Sequence, residues 1–396
     1  MPTNWSFSPH SGLFSFTLKV HQHYRSRVTQ KLLNPHADVV TLTAQLVDIP
    51  SVSGNEAQIA DLVEAQLRAC AWLTVERLNN NVVARTNLGR ASRVIVAGHL
   101  DTVPVAENDK AVLLSAGQQL PVEGSILSED VLFGLGSCDM KGGVAVALRA
   151  AVTIAEPVFD VTYIFYECEE VDSARNGLTK IAAEKPEWLK ADIAILLEPS
   201  NAKIEAGCQG TLRAQIRTTG VRAHSARAWM GKNAIHGLAD ALSLLSTYEP
   251  LSVDVDGLEY REGLNAVGIS GGIAGNVIPD EAVLEVNYRY APVRSAKEAE
   301  TFVKEFFTGY DVTIVDNIAG ALPGLDRPEL QSLLTMVDGQ VAPKFGWTDV
   351  ARFSAMGVPA VNMGPGNPSV AHARHEHVPV AQLKACEELV MGWLRG

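Results

Sequence analysis

RVIVAGHLD (residues 93–101), VTYIFYECEE (161–170) and DIAILLEP (192–199) decide how this chain folds. Each is an apolar run rich in β-branched residues. Each ends in side chains that do not belong in a core: His99 and Asp101, the pair Glu169–Glu170, and Glu198. Continuous apolar strands are buried on both faces, so the three runs predict a mostly parallel sheet covered by helices. The covering helices are legible nearby. VVTLTAQLVDI (39–49) and EAQIADLVEAQLRAC (56–70) have helical spacing, and VAVALRAAVTIA (144–155) reads as a buried helix. NVVART (81–86) and PAVNMGPG (359–366) read as further strands.

The pattern changes after about Gly207. TLRAQIRTTG (211–220) alternates as a half-buried strand does, and KNAIHGLADALSLLSTY (232–248) reads as a helix. LNAVGISGGIAG (264–275) and AVLEVNYRY (282–290) read as paired strands around a turn at residues 276–280. SAKEAETFVKEFF (295–307) follows as a helix and YDVTIVD (310–316) as a last strand. The order βαββαβ is a split ferredoxin-like unit. The α/β style returns after about Ala321. The fold class is therefore α/β, with a larger domain over 38–207 and 321–396 and an inserted domain over 208–320. Residues 1–37 hold Lys19, Arg25, Arg27 and Lys31 and no Asp or Glu. They read as a disordered extension, because the ordered pattern begins near Asp38.

Of the 396 residues 47% are hydrophobic and 20% charged, which supports a sizeable core and excludes a largely disordered chain. Lys and Arg number 33 against 45 Asp and Glu, a net charge of −12 that argues against nucleic acid as the main partner. No apolar run reaches about 18 residues, so no membrane span is expected. Cys70, Cys138, Cys168, Cys208 and Cys386 are odd in number and form no C-x-x-C pair. That fits free thiols in a reducing, cytoplasmic compartment, with Cys138 and Cys168 as packing residues.

Ligands of open α/β sheets bind beyond the carboxyl ends of the strands. His99, Glu169, Glu170 and Glu198 each follow a core strand there. Asp139 sits in GLGSCDMKGG (134–143), and His372 follows PAVNMGPG by a short loop. Imidazoles and carboxylates without thiolate spacing suit Zn²⁺ or another borderline divalent ion. Two metals about 3.5–4 Å apart polarise a carbonyl and generate hydroxide near pH 7. Glu169 and Glu170 would point opposite ways in an extended chain, one to a metal and one to water. Taken singly, Asp139 reads as a helix N-cap and the glutamate pair as a solvated loop; it is their gathering at one sheet edge that points to a metal. GLGSCDMKGG is no phosphate loop, because Asp139 stands where a third glycine would be and G-K-[ST] is missing.

GHLDTVP, GLGSCDMKGG, YECEE, LLEPS and the late His-x-x-x-Glu resemble the metallo-hydrolase family of acetylornithine deacetylase, succinyl-diaminopimelate desuccinylase, aminoacylase and glutamate carboxypeptidase. The resemblance runs from about residue 38 to the C-terminus. EAGCQGTLRAQIRTTGVRAHSARAWMGKNAIH (205–236) and FGWTDVARF (345–353) look like the actinobacterial desuccinylase branch. The resemblance implies two divalent metals, zinc with cobalt as a substitute. His99 and Glu198 would hold one, Glu170 and His372 the other, with Asp139 between them. Asp101 would support His99, and Glu169 would be the general acid and base of amide hydrolysis. The inserted domain would be a dimerisation lid that carries His224 into a partner subunit's site. Asn276, Arg289 and Arg213 would meet a small acidic N-acyl amino acid; Arg352 and residues 347–349 are further candidates. Deacetylation of acetylornithine, peptide cleavage, or a silent binding relative are the competing implications. The tail reads His372-Ala-Arg-His375-Glu376-His377, so His375 is the alternative metal ligand.

Overall fold

The computed structural model describes residues 33–396; residues 1–32, most of the expected extension, lie outside them. The remainder of that stretch does not stand apart. Leu33 is buried in the core, and the Arg149 guanidinium donates to the carbonyl of Ala37.

Four parallel strands form the centre of an eight-stranded sheet. Arg93–His99 lies between Asp160–Tyr166 and Ile193–Pro199, and Ala360–Gly364 runs beside the latter. Nearly every residue in these strands is buried, as their unbroken apolar sequence requires. The margins are mixed. Asn81–Arg85 joins antiparallel on one side and Ile204–Ala206 on the other, with Thr74–Leu78 and Val341–Pro343 at the edges.

Helices Val39–Val47, Ala57–Arg68, Lys141–Thr153 and Val380–Arg395 share one core beneath one face. Gly177–Glu184 and Val350–Ala355 pack on the other. Asp38 starts the first helix by accepting the N–H groups of Val40 and Thr41 at 3.1 and 3.0 Å. Lys141–Thr153 is buried almost all round and lies hard against Ile193–Pro199. A Cβ on Gly143 would stand 2.2 Å from the carbonyl oxygen of Leu197. Only glycine permits that approach, and the approach sets the Asp139 loop beside Glu198.

Residues 210–318 build a second sheet, in the order Gly263–Gly271, Glu281–Tyr290, Gly210–Thr219, Asp311–Ile318, with every pair antiparallel. Numbered along the chain this is 4-1-3-2 read from the opposite edge, the ferredoxin-like order. Helices Ala239–Ser246 and Ala296–Phe306 cover one face. Ser295 and Glu298 cap the second of these reciprocally.

Two details depart from the sequence pattern. The expected helix over 232–248 is shorter, a 3₁₀ turn at His236–Leu238 followed by Ala239–Ser246. The Asn233 side chain takes the N–H groups of Ile235 and His236 and holds the chain back until then. The turn at 276–280 also contains a strand, because Val277–Ile278 pairs with Ala223–His224.

Candidate active site

The parallel strands deliver their polar ends to one place. His99 is the last residue of its strand and fully buried, and Glu198 is the penultimate residue of Ile193–Pro199. His99 Nε2 lies 3.0 Å from Asp139 Oδ1. His372 Nε2 lies 2.9 Å from Glu170 Oε1 and 3.4 Å from Asp139 Oδ2. The two oxygens of Asp139 thus face two different imidazoles. Donor atoms of His99, Asp139 and Glu198 lie within 4.8 Å of one another, as do those of Asp139, Glu170 and His372 and those of His99, Glu169 and Glu170.

The tautomer of His99 follows from its other nitrogen. Nδ1 is 3.0 Å from the backbone carbonyl of Asp101 and 3.5 Å from its carboxylate, so Nδ1–H donates and Nε2 faces the cluster. The support expected from Asp101 therefore comes chiefly through its carbonyl. Its carboxylate has a second task. It accepts the N–H groups of Glu169 and Glu170 at 2.9 and 3.1 Å and the Ser53 hydroxyl at 2.7 Å. This corrects the extended geometry expected for the glutamate pair. Residues 169–170 form a turn that follows Cys168, whose φ of +58° is left-handed.

The electrostatics are those of too many carboxylates in one dry place. Burial and then the charge of Asp139 push the Glu198 carboxyl up to about 8. Burial, followed by the charges of Asp349 and Glu198, raises Glu169 well above its ordinary range. Asp139 moves the other way, because its bonds to His372 and His99 outweigh burial. Bonds to Asp139 and Glu170 lift His372 to about 10. A divalent cation would relieve this crowding, and the donors are imidazole nitrogen and carboxylate oxygen in two groups joined by Asp139. The residues present fit a pair of borderline divalent ions.

Other expectations fare unequally. Asp139 is not a helix N-cap; Met140 occupies that position without a side-chain cap bond. Its backbone N–H and that of Cys138 donate instead to the buried Glu376 carboxylate at 2.9 and 3.0 Å. That support, like the Ser53 contact, was missed; the His-x-x-x-Glu spacing was its only signal. His375 lies 3.9 Å from Glu123 and, among the described residues, has no hydrogen bond or ion pair to the cluster. Arg213, Trp347 and Arg352 line a cleft of about 450 Å³ together with Glu169. Asp349 is fully buried behind it, holding Asn176 and Arg352. His224 is exposed, with Nδ1 accepting the N–H of Ala226. Asn276 is exposed on the adjoining loop, and Arg289 is half-buried and bonded to Asn287. None of these last three has a hydrogen bond or ion pair to the cluster among the described residues. The five cysteines are buried and free.

Polar donors gathered at the carboxyl end of a mostly parallel sheet, beside the half-buried Glu169, define a hydrolase of the metal-binding α/β type. The chain belongs to peptidase family M20/M25/M40, whose sequence pattern matches residues 95–395. A Mycobacterium tuberculosis protein that bears the DapE name is 53% identical over 368 residues, covering 92% of this chain and 100% of its own. A succinyl-diaminopimelate desuccinylase of Corynebacterium glutamicum is 48% identical, over 87% of this chain and 93% of its own. Among solved structures, a tripeptidase from Staphylococcus aureus superposes with a TM-score of 0.72 at 20% identity, over 92% and 98% of the two chains. A dinuclear metal binding peptidase from Bacillus subtilis gives 0.64 at 15% identity, over 90% and 96%.

Proposed function

We propose that this chain hydrolyses N-succinyl-LL-2,6-diaminopimelate to succinate and LL-2,6-diaminopimelate, in the cytoplasmic synthesis of lysine and cell-wall precursors. The observation that carries the reading is Asp139, whose two oxygens face His99 and His372 beside a half-buried Glu169. The relatives at 53% and 48% identity support the substrate.

His99, Asp139 and Glu198 would hold one metal, and Asp139, Glu170 and His372 the other, with zinc or cobalt as the ion. Such a pair supplies Lewis acidity and water of lowered pKa. The remaining work falls to the chain. Glu169 takes a proton from the attacking water as its oxygen bonds to the succinyl carbonyl carbon. It then gives that proton to the amide nitrogen as the C–N bond breaks. Asp101 fixes where Glu169 stands by holding its backbone N–H. The loop of residues 138–139 is held in turn by Glu376.

The inserted domain, residues 208–320, would be a dimerisation lid. Its edge strand Gly263–Gly271 leaves Val267 60% and Ile269 56% exposed, and an unpaired apolar edge invites a second copy. Across such a dimer His224, together with Asn276 and Arg289, would close on the neighbouring site.

The test is a parallel assay on N-succinyl-LL-diaminopimelate and N-acetylornithine with added Zn²⁺ or Co²⁺ and a chelator control. Chelator-sensitive preference for the succinyl substrate by about 100-fold, or ~2.7 kcal/mol, is expected. Preference for acetylornithine would overturn the substrate and leave the hydrolase.

A further inference from the structure

The cleft that contains Glu169 is lined by charges of both signs. On the sheet side, Arg213 and Asp316 are directly opposed across neighbouring strands, with Nη2 and Oδ2 3.5 Å apart. Their side chains are 60% and 34% exposed. Asp172, Ser173 and Arg352 line the same cleft from other segments. The Arg352 guanidinium is held in place by Asp349, Ser173 and Thr179 and stacks 5.2 Å over Trp347.

An exposed cross-strand ion pair contributes little to stability. At 3.5 Å this one is also longer than a charge-assisted hydrogen bond, about 2.7–2.9 Å. Neither partner is saturated by the other. A plain anion entering here would meet Asp316 and Asp172, and a plain cation would meet Arg213 and Arg352. A ligand with both charges on one carbon meets no such penalty. Its carboxylate pairs with Arg213, its ammonium pairs with Asp316, and four charges then alternate around a ring.

Resting on the desuccinylase reading, we propose that Arg213 and Asp316 are a receptor for the free α-amino-acid head of the substrate. They would select a zwitterion at the end remote from the scissile amide, with Arg352 as a fixed second donor to its carboxylate. The reacting amide and the free head are separated by three methylene groups, roughly 5 Å of extended chain. The cleft, at about 450 Å³, is of the size that encloses small ligands. Arg213 and Asp316 are specificity residues in this account and take no part in bond breaking.

The experiment removes one charge at a time from each side. N-succinyl-L-lysine is the substrate without its distal carboxylate, and N-succinyl-L-2-aminopimelate is the substrate without its distal ammonium. The metal-loaded wild type should lose about tenfold or more in kcat/KM on each. Arg213→Met should abolish the preference over N-succinyl-L-lysine and keep the preference over the aminopimelate. Asp316→Asn should do the reverse. The charge-swapped Arg213→Asp/Asp316→Arg variant retains the cross-strand pair, so its fold is preserved while both preferences shrink. Calorimetric dissociation constants of the three compounds for the Glu169→Gln variant should rank in the same order. Wild-type preferences that survive in both single variants overturn the receptor. Equal cleavage of all three compounds by the wild type overturns it too. A wild type that cleaves none of them sinks the desuccinylase reading itself.

Discussion

Glu169 and Glu170 are neighbours in sequence, and the Asp101 carboxylate anchors their turn by taking both of their backbone N–H groups. Glu170 is drawn to His372 at 2.9 Å, whereas Glu169 makes no such pair among the described residues and lines the cleft of Arg213 and Arg352. Glu169→Gln keeps the shape and removes the proton carrier. Turnover should fall on the order of 1,000-fold, with bound metal per chain unchanged by elemental analysis. Loss of metal from that variant would make Glu169 a ligand and leave the proton without a carrier. At this scale residue type and position along the chain were legible. The duties of Ser53 and Glu376 were not, because each acts through a backbone N–H or a carboxylate far away in sequence.

Among the elements, the helix Lys141–Thr153 governs the site without contributing a ligand. Its first turns touch the strand that carries Glu198, and Gly143 lets them do so. Gly143→Ala places a methyl group against a backbone carbonyl that has no room to yield. The cost should be about 1–3 kcal/mol in urea unfolding, with weakened metal binding as the Asp139 loop is displaced from Glu198. An alanine variant of wild-type stability and metal affinity would show that the helix does not set the loop. The apolar all-round pattern predicted this helix as buried. The late start of the expected helix over 232–248 was not foreseen, because Asn233 competes for backbone N–H groups there by a local bond that periodicity does not register.

For the whole molecule the open question is how many chains make one active site. His224 is exposed and, among the described residues, has no bond to the cluster, while the apolar edge strand lies in the same stretch of residues 210–318. If His224 serves a neighbouring subunit, a mixture of Glu169→Gln and His224→Ala proteins forms hybrids with one intact site. Subunit exchange should then restore activity that neither variant has alone. A mixture that stays inactive despite exchange, verified by mass spectrometry of the hybrids, places His224 in the site of its own chain. Val267→Asp should shift the sedimentation coefficient toward a monomer, because a charge on a paired edge strand must be buried unpaired.

The sequence by itself determined the secondary elements, the mostly parallel sheet and the βαββαβ order of the insert. Those follow from periodicity, and periodicity is local. It also determined which side chains were available for chemistry, since His and carboxylates at the ends of apolar strands are conspicuous wherever the strands lie. Tertiary structure decided the rest. It brought His372 rather than His375 to Asp139 and Glu170, turned Asp139 from a plausible cap into the residue between two imidazoles, and set Arg213 against Asp316 in the cleft beside Glu169. Each of those outcomes depends on distances between segments from 40 to more than 230 residues apart. Only the packing of helices and strands against one another sets such distances.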